Sequence, residues 1–110
     1  MIKKTILNIE TRIKETSSIN VKDKDELLQL LTALEEEVSE LSKTHPECAE
    51  SITGFTQVSA HEAMRIRKNP QLMKLSLKGL SSSAEEFESS HPQLVAVVNK
   101  LSQILANMGI

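Results

Sequence analysis

Apolar residues recur at helical spacing along most of this chain. The first four isoleucines are separated by four, three and four positions, so they share one stripe of a helix expected from Ile2 to Glu15, within an N-terminal segment 1–16. A second stripe, in a helix expected over about Val21–Lys43, comprises Leu27, Leu31, Leu34, Val38 and Leu41. Leu28 and Leu30 widen this stripe. Both segments are therefore predicted to be amphipathic helices.

Three further helices are predicted downstream. The third is expected to extend as far as Lys68 and to bury Cys48, Ala49, Ile52, Phe55 and Val58. The fourth starts at Asn69-Pro70 and has the stripe Met73, Leu77, Leu80, Ala84 and Phe87, widened by Leu72 and Leu75. The fifth ends near Asn107, with Gly109 available to terminate it, and has the stripe Leu94, Val95, Val98, Leu101, Ile104 and Leu105. Gly79 and the serines at 81–83 predict either a bend in the fourth helix or a close approach of another helix.

Polar residues mark the predicted helix starts. Asn20 is expected to cap the second helix, with Asp23 placed favourably in its first turn. The sequences THPE at 44–47 and SHPQ at 90–93 both resemble capping boxes, in which a hydroxyl and a carboxylate or amide three residues later satisfy free backbone N–H groups. We therefore expect the third and fifth helices to begin at these two boxes.

The chain also contains an internal similarity at a shift of 46 residues. This shift superimposes THPE on SHPQ and the stripes of the second and third helices on those of the fourth and fifth. Matching apolar positions alone prove little, because any two amphipathic helices share a heptad pattern. The repeated His-Pro and cap residues favour two equivalent helix–Pro–helix hairpins, at 21–68 and 70–108. Two hairpins close more naturally into a bundle than into a solenoid, which needs about three repeats.

Composition agrees with this architecture. The chain has two Phe and no Trp or Tyr, so its core must be aliphatic, and only three Gly and three Pro argue against a turn-rich β-protein. We therefore predict an all-α protein, an elongated antiparallel bundle of about five helices forming one domain over residues 1–110. The lone Cys48, and the absence of a signal peptide or membrane-length apolar run, favour a cytoplasmic protein and no membrane partner.

The C-terminal third resembles a bacterial family of short helical proteins of unknown function. The resemblance rests on the segment from Leu77 to Ile110, with a Phe87-Glu88 pair before His91-Pro92 and a closing Met108-Gly109-Ile110. It implies a helical fold and no activity, because the family is itself uncharacterised. The segment from about Thr53 to Asn69 does not contribute to the resemblance.

Motifs for chemistry are weak. His61-Glu62 begins like a zinc-protease motif, but Arg65 occupies the place of the second His. His45 and Cys48 have a spacing that two metal ligands could use, yet no second pair lies nearby in sequence. The Glu-x-x-His letters at 88–91 are followed by a helix-starting proline, which separates the two side chains. We therefore predict no enzyme, no catalytic or metal-binding residues and no cofactor, with a metal-binding bundle kept as an alternative.

The distribution of charge along the chain leaves nucleic-acid binding as one further alternative function. The net charge of −2 disfavours nucleic-acid binding, although residues 65–78 contain five basic residues and no acid. This stretch lacks aromatic residues for stacking on bases, so weak binding of nucleic acid is the less favoured hypothesis. The extra leucines Leu28, Leu30, Leu72 and Leu75 exceed what one small bundle is expected to cover. The favoured prediction is a non-catalytic, self-associating scaffold or protein-binding module that forms a homodimer.

Overall fold

The computed structural model describes residues 2–108, and all five predicted helices are present in it. They are α1 (Ile2–Glu15), α2 (Val21–Ser42), α3 (Pro46–Met64), α4 (Pro70–Glu85) and α5 (Pro92–Met108). No β-strand occurs within the described residues. The prediction of an all-α protein is confirmed. Gly109 and Ile110, which the sequence suggested as a helix terminator and as part of the closing tripeptide, lie outside the described residues.

Helices α2 to α5 form a four-helix bundle, and α1 packs on one side of it. Helix α2 contacts α3 and α5, and α4 contacts the same two helices, so the four are arranged in a ring. The connections of three, five and six residues (43–45, 65–69 and 86–91) require antiparallel neighbours. Helix α1 lies against α2 and α3. The molecule measures 37 × 25 × 22 Å, so it is moderately elongated.

The predicted aliphatic stripes form the core. Almost completely buried are Ile6 and Ile13 of α1, all five stripe residues of α2, Leu80 and Ala84 of α4, and Leu94, Val98, Leu101 and Leu105 of α5. Leu77 is half-buried and packs against this core. Because each stripe faces neighbouring helices, helices that would be marginal alone in water stabilise one another through apolar burial.

Asparagine side chains cap α2 and α4. The Asn20 Oδ1 accepts a hydrogen bond from the Asp23 N–H at 2.8 Å, and its Nδ2 donates to the Asp23 carboxylate at 3.0 Å. Asn69 Oδ1 accepts from the Leu72 N–H at 3.1 Å. The predicted cap at Asn20 is confirmed, and Asn69 makes the equivalent bond at α4.

The prediction of capping boxes at 44–47 and 90–93, in contrast, is wrong. The N-cap of α3 is His45, and the Thr44 hydroxyl donates back to the Leu41 carbonyl at 3.3 Å and lies 2.8 Å from His45 Nδ1. Ser90 likewise bonds to His91 Nδ1 at 3.0 Å. Proline begins each helix immediately after the histidine, so the hydroxyl residue lies one position too early to reach the N–H of the first turn.

The buried face of α3 also differs from the prediction. Phe55 and Val58 are exposed, and Cys48 is only half-buried. The face turned inward is instead formed by Ala49, Ile52, Thr53, Thr56, Ser59, Ala60 and Ala63, together with Glu62. Helix α3 touches all four other helices, so small side chains are needed where those helices approach. The hydroxyls of Thr53 and Thr56 are satisfied by carbonyls one turn earlier, both at 2.8 Å, which lets them occupy the interior.

Helix α3 also ends at Met64, before the predicted limit at Lys68. The two hairpins are therefore alike along α2 and α4 but not along their second helices. Phe55 is exposed, whereas Leu101, its counterpart at the shift of 46, is buried.

Candidate interaction surface

Helices α3 and α4 meet at a glycine. Helix α4 is continuous through Gly79, and a Cβ placed there would lie within 3.0 Å of three ring atoms of Phe55. Of the two sequence alternatives, the close helix approach is therefore correct. Since Phe55 and Gly79 are each twelve residues from the middle of the 65–69 connection, they also set the antiparallel register of the two helices.

Four large apolar side chains lie exposed on the outer side of this helix pair. They are Phe55 (38% exposed), Val58 (48%), Leu72 (42%) and Leu75 (65%). Phe55 and Val58 are three residues apart on α3, and Leu72 and Leu75 are three apart on α4, so each pair occupies one ridge. In the register set by Phe55 and Gly79, Leu75 lies level with Val58. Helical spacing and this register place the four residues on one side of the helix pair, called here the α3–α4 apolar face. Val58 lies at its edge, where it also lines a groove against α1.

The size of this face can be estimated from the exposed fractions. With roughly 150–200 Å² for a complete side chain of each type, the four expose about 350 Å². Scattered exposed apolar residues are ordinary, but a contiguous patch of roughly 300–600 Å² is the largest that a typical monomer carries and is often functional. A standard interface buries about 800 Å² per partner, so this face would be the apolar centre of one and would need a polar rim.

Three basic residues, Arg65, Arg67 and Lys68, occupy the α3–α4 connection. Arg65 and Lys68 line a groove at this end of the bundle together with Ile19 and Asp23. Arg65 Nη1 forms an ion pair at 2.8 Å with Glu62, whose carboxylate is almost fully buried. Lys68 Nζ donates to the carbonyl of Ala63, near the end of α3. These bonds hold two of the three cations close to the helix end, while Arg67 projects into solvent.

Acidic groups lie at the opposite end. Glu47 is in the first turn of α3, and Glu86 is the C-cap of α4. Both are exposed, and in the antiparallel register they lie level with each other, past Phe55. Helical periodicity places Glu47 on the same side of α3 as Val58, and Glu86 on the same side of α4 as Leu75. The apolar face is therefore followed by two acidic residues at this end.

The four extra leucines are not equivalent. Leu28 and Leu30 are half-buried and pack against the core. Leu30 lies beside Val97 and Ile104 of α5. Of these four, Leu72 and Leu75 are exposed. The exposed surface thus centres on α3 and α4 and includes two residues that the sequence had assigned to the core.

The two His-Pro motifs meet at the acidic end of the bundle. The Phe87 ring packs edge-on against His45 (centroids 5.3 Å apart) and against His91 (5.8 Å). Phe87 is buried, so the two imidazoles cover the end of the core. His45 is thus held by an aromatic contact and by Thr44, while Cys48 packs against the core. Among residues 2–108, no three His, Cys, Asp or Glu side chains are grouped as a metal would require.

The remaining sequence candidates are dispersed. His61 Nδ1 accepts a hydrogen bond from Arg12 of α1 at 2.9 Å, whereas Glu62 turns inward to Arg65, so the His-Glu pair does not converge. Of the five cations in 65–78, Arg65 and Lys68 are engaged within the chain, and Lys74 and Lys78 lie on α4. This stretch offers no single basic helix face.

Together the fold and the exposed face define a helical bundle with a candidate interaction surface. Residues 57–110 match the model of a family described as a domain of unknown function (DUF4404). The match covers the second part of α3, all of α4 and α5, and the Phe87-Glu88 and His91-Pro92 pairs, so this half of the chain is similar to an uncharacterised family. No curated protein and no solved structure matches the chain. In the described part of the chain, no helix has both the length and the apolarity needed to cross a membrane.

Proposed function

We propose that this protein is a non-catalytic, self-associating module that forms a homodimer in the cytoplasm through the α3–α4 apolar face. The observation that carries the proposal is the exposure of four large apolar side chains, Phe55, Val58, Leu72 and Leu75, on two adjacent helices. Exposing about 350 Å² of apolar surface to water is unfavourable, so burying it against a partner would stabilise a complex.

The interior of the bundle gives further support to a binding role. Apolar side chains fill it, and the buried polar residues are mostly paired: the threonines bond to carbonyls, Ser76 bonds to the Met73 carbonyl, and Glu62 bonds to Arg65. Such groups stabilise packing and supply no convergent set of acids, bases and nucleophiles around a cavity. The outer surface is therefore the better place to seek a function.

The test measures the mass of the protein in solution. Sedimentation velocity or light scattering across the micromolar range should give a dimer for the native chain. Leu75→Asp places a charge in the middle of the face and should give a monomer. The matched control is Leu7→Asp, because Leu7 is similarly exposed (58% against 65% for Leu75) but lies on α1 beside residues of α2.

The outcomes separate the hypotheses. A dimer that survives Leu75→Asp but is lost in Leu7→Asp would move the interface to α1. A native chain that remains monomeric at all concentrations would contradict self-association. Metal retained stoichiometrically after purification, or retardation of a nucleic-acid probe at low salt, would favour one of the two alternative functions.

A further inference from the structure

We propose that the groove between α1 and α3 binds a small carboxylate that has an aliphatic tail. The carboxylate is bound by Arg12, and the tail lies on an apolar floor. This floor is formed by Ile9, Ala60 and Met64. The inference does not depend on the proposed homodimer, because these four residues lie outside the α3–α4 apolar face. It is carried by a groove that combines a cation with apolar side chains and has no acid in its lining.

The groove runs between two parallel helices. Arg12 of α1 contacts His61 of α3, and Thr16, one turn later, contacts Met64, so the two helices run in the same direction. The same offset sets Asn8 level with Gln57, one turn before Arg12 and His61. All four of these polar side chains line the groove, which has a volume of about 370 Å³. Polar groups therefore face each other in two level pairs, with the apolar floor beneath them.

The Arg12 guanidinium has no carboxylate partner in the described part of the chain. Neither of the ion pairs formed within residues 2–108 includes it. Two nearby acids are turned elsewhere: Glu10 accepts a hydrogen bond from Thr32 on the α2 side, and Glu62 pairs with Arg65. The groove therefore contains a positive charge that its surroundings do not compensate.

The contact of Arg12 with His61 prepares the guanidinium for a planar anion. A guanidinium only donates, so His61 Nδ1, 2.9 Å from Arg12 Nη1, must be the acceptor. The imidazole then has its proton on Nε2, which is a further donor. Because Nη1 is the atom in contact with His61, the edge formed by Nε and Nη2 can bind both oxygens of one carboxylate.

Other grooves of the molecule lack this combination. Lys3 and Lys4 line a groove between α1 and α2, but Glu10 and Glu35 line it too, so both signs of charge are present. The groove at the end of the bundle includes Asp23, and its two cations are already bonded within the chain. Charge complementarity therefore assigns an anion to the α1–α3 groove.

The floor determines the rest of the ligand. Ile9 and Ala60 are buried and Met64 is half-buried, so the bottom of the groove offers no charged group. A few placed polar groups above an apolar surface are typical of small-molecule sites. An aliphatic tail can cover this surface and gain from leaving water, which a carboxylate alone cannot do.

Titration of the ¹⁵N-labelled chain with hexanoate, followed by NMR, tests the site. Hexanoate should shift the backbone amides of residues 8–12 and 57–64 preferentially, and the shifts should saturate. Hexan-1-ol, which has the tail without the charge, should bind at least ~10-fold more weakly. Acetate and inorganic phosphate, which have the charge without the tail, should also bind at least ~10-fold more weakly.

Variants of Arg12 test its role. Arg12→Gln should weaken the binding of hexanoate at least ~10-fold, and Arg12→Lys, which keeps the charge but loses the fork, should lie between that variant and the native chain. The matched control is Lys14→Gln, because Lys14 is an exposed cation on the same helix but does not line the groove, and its affinity should equal the native value. Circular dichroism checks that each variant retains its helices.

Several results would overturn the proposal. They are shifts that do not saturate or that spread over all helices, equal losses for Lys14→Gln and Arg12→Gln, and hexan-1-ol or phosphate binding as tightly as hexanoate. The titration is repeated with Leu75→Asp, which is expected to be monomeric. Hexanoate binding by a native chain that never dimerises would remove the proposed homodimer and leave this site in place.

Discussion

The contact between Phe55 and Gly79 leads to a quantitative prediction about stability. Replacing Gly by Ala inside a helix normally stabilises it by about 1 kcal/mol. At position 79 the added methyl group would overlap the Phe55 ring, which must then move away from α4. The sign of the effect of Gly79→Ala therefore depends on whether Phe55 is present.

The magnitude follows from the burial of the ring. Phe55 is 38% exposed, so it buries about 120 Å² of roughly 200 Å², or at most about 3 kcal/mol at 25 cal/mol per Å². Losing about half of this contact costs about 1.5 kcal/mol, which exceeds the helix gain. Gly79→Ala should thus destabilise the native chain by about 0.5 kcal/mol, and should stabilise the Phe55→Ala variant by about 1 kcal/mol.

A double-mutant cycle measures this difference. The four proteins are unfolded with urea and followed by circular dichroism, all in the Leu75→Asp background so that self-association does not contribute. The expected coupling is about 1.5 kcal/mol between the two sites. Equal stabilisation by Gly79→Ala with and without Phe55 would show that the ring does not press on α4, and would refute the reasoning.

Three further predictions use the same unfolding assay in the same background. Leu34→Ala should lower the free energy of unfolding by about 3 kcal/mol because Leu34 is completely buried. Leu7→Ala, at an exposed site, should lower it by less than about 0.5 kcal/mol, and similar losses for the two variants would contradict the assigned core. Asn20→Ala should lower the free energy of unfolding by about 1 kcal/mol through loss of the α2 cap, and Thr44→Ala should lower it distinctly less. A larger loss for Thr44→Ala would support the predicted capping box at Thr44. Arg65→Met should cost about 1–3 kcal/mol by leaving the buried Glu62 carboxylate unpaired, and adding Glu62→Gln should recover part of that loss.

Two features of the molecule, the caps at the two His-Pro pairs and the exposure of Phe55, could not be predicted from local sequence. The His-Pro pairs correctly located the starts of α3 and α5, because the fixed backbone angle of proline suits the first turn of a helix. The prediction of capping boxes at the same places failed, because cap geometry depends on a shift of one residue that local composition does not reveal. The exposure of Phe55 could have been suspected only from Gly79, twenty-four positions away, whose missing side chain makes room for the ring.

The sequence by itself determined the number, the limits and the inward stripes of most helices. This is possible because a 3.6-residue period and an asparagine cap are local properties, and α1, α2 and α5 each present one clear aliphatic side. Only the tertiary structure decided which side of α3 is buried. That helix touches all four others, and their close packing favours burial of the side of α3 that has small residues. Phe55 and Val58 therefore face outward. The candidate interaction surface arises from this choice, since it joins side chains of two helices whose register is set by packing.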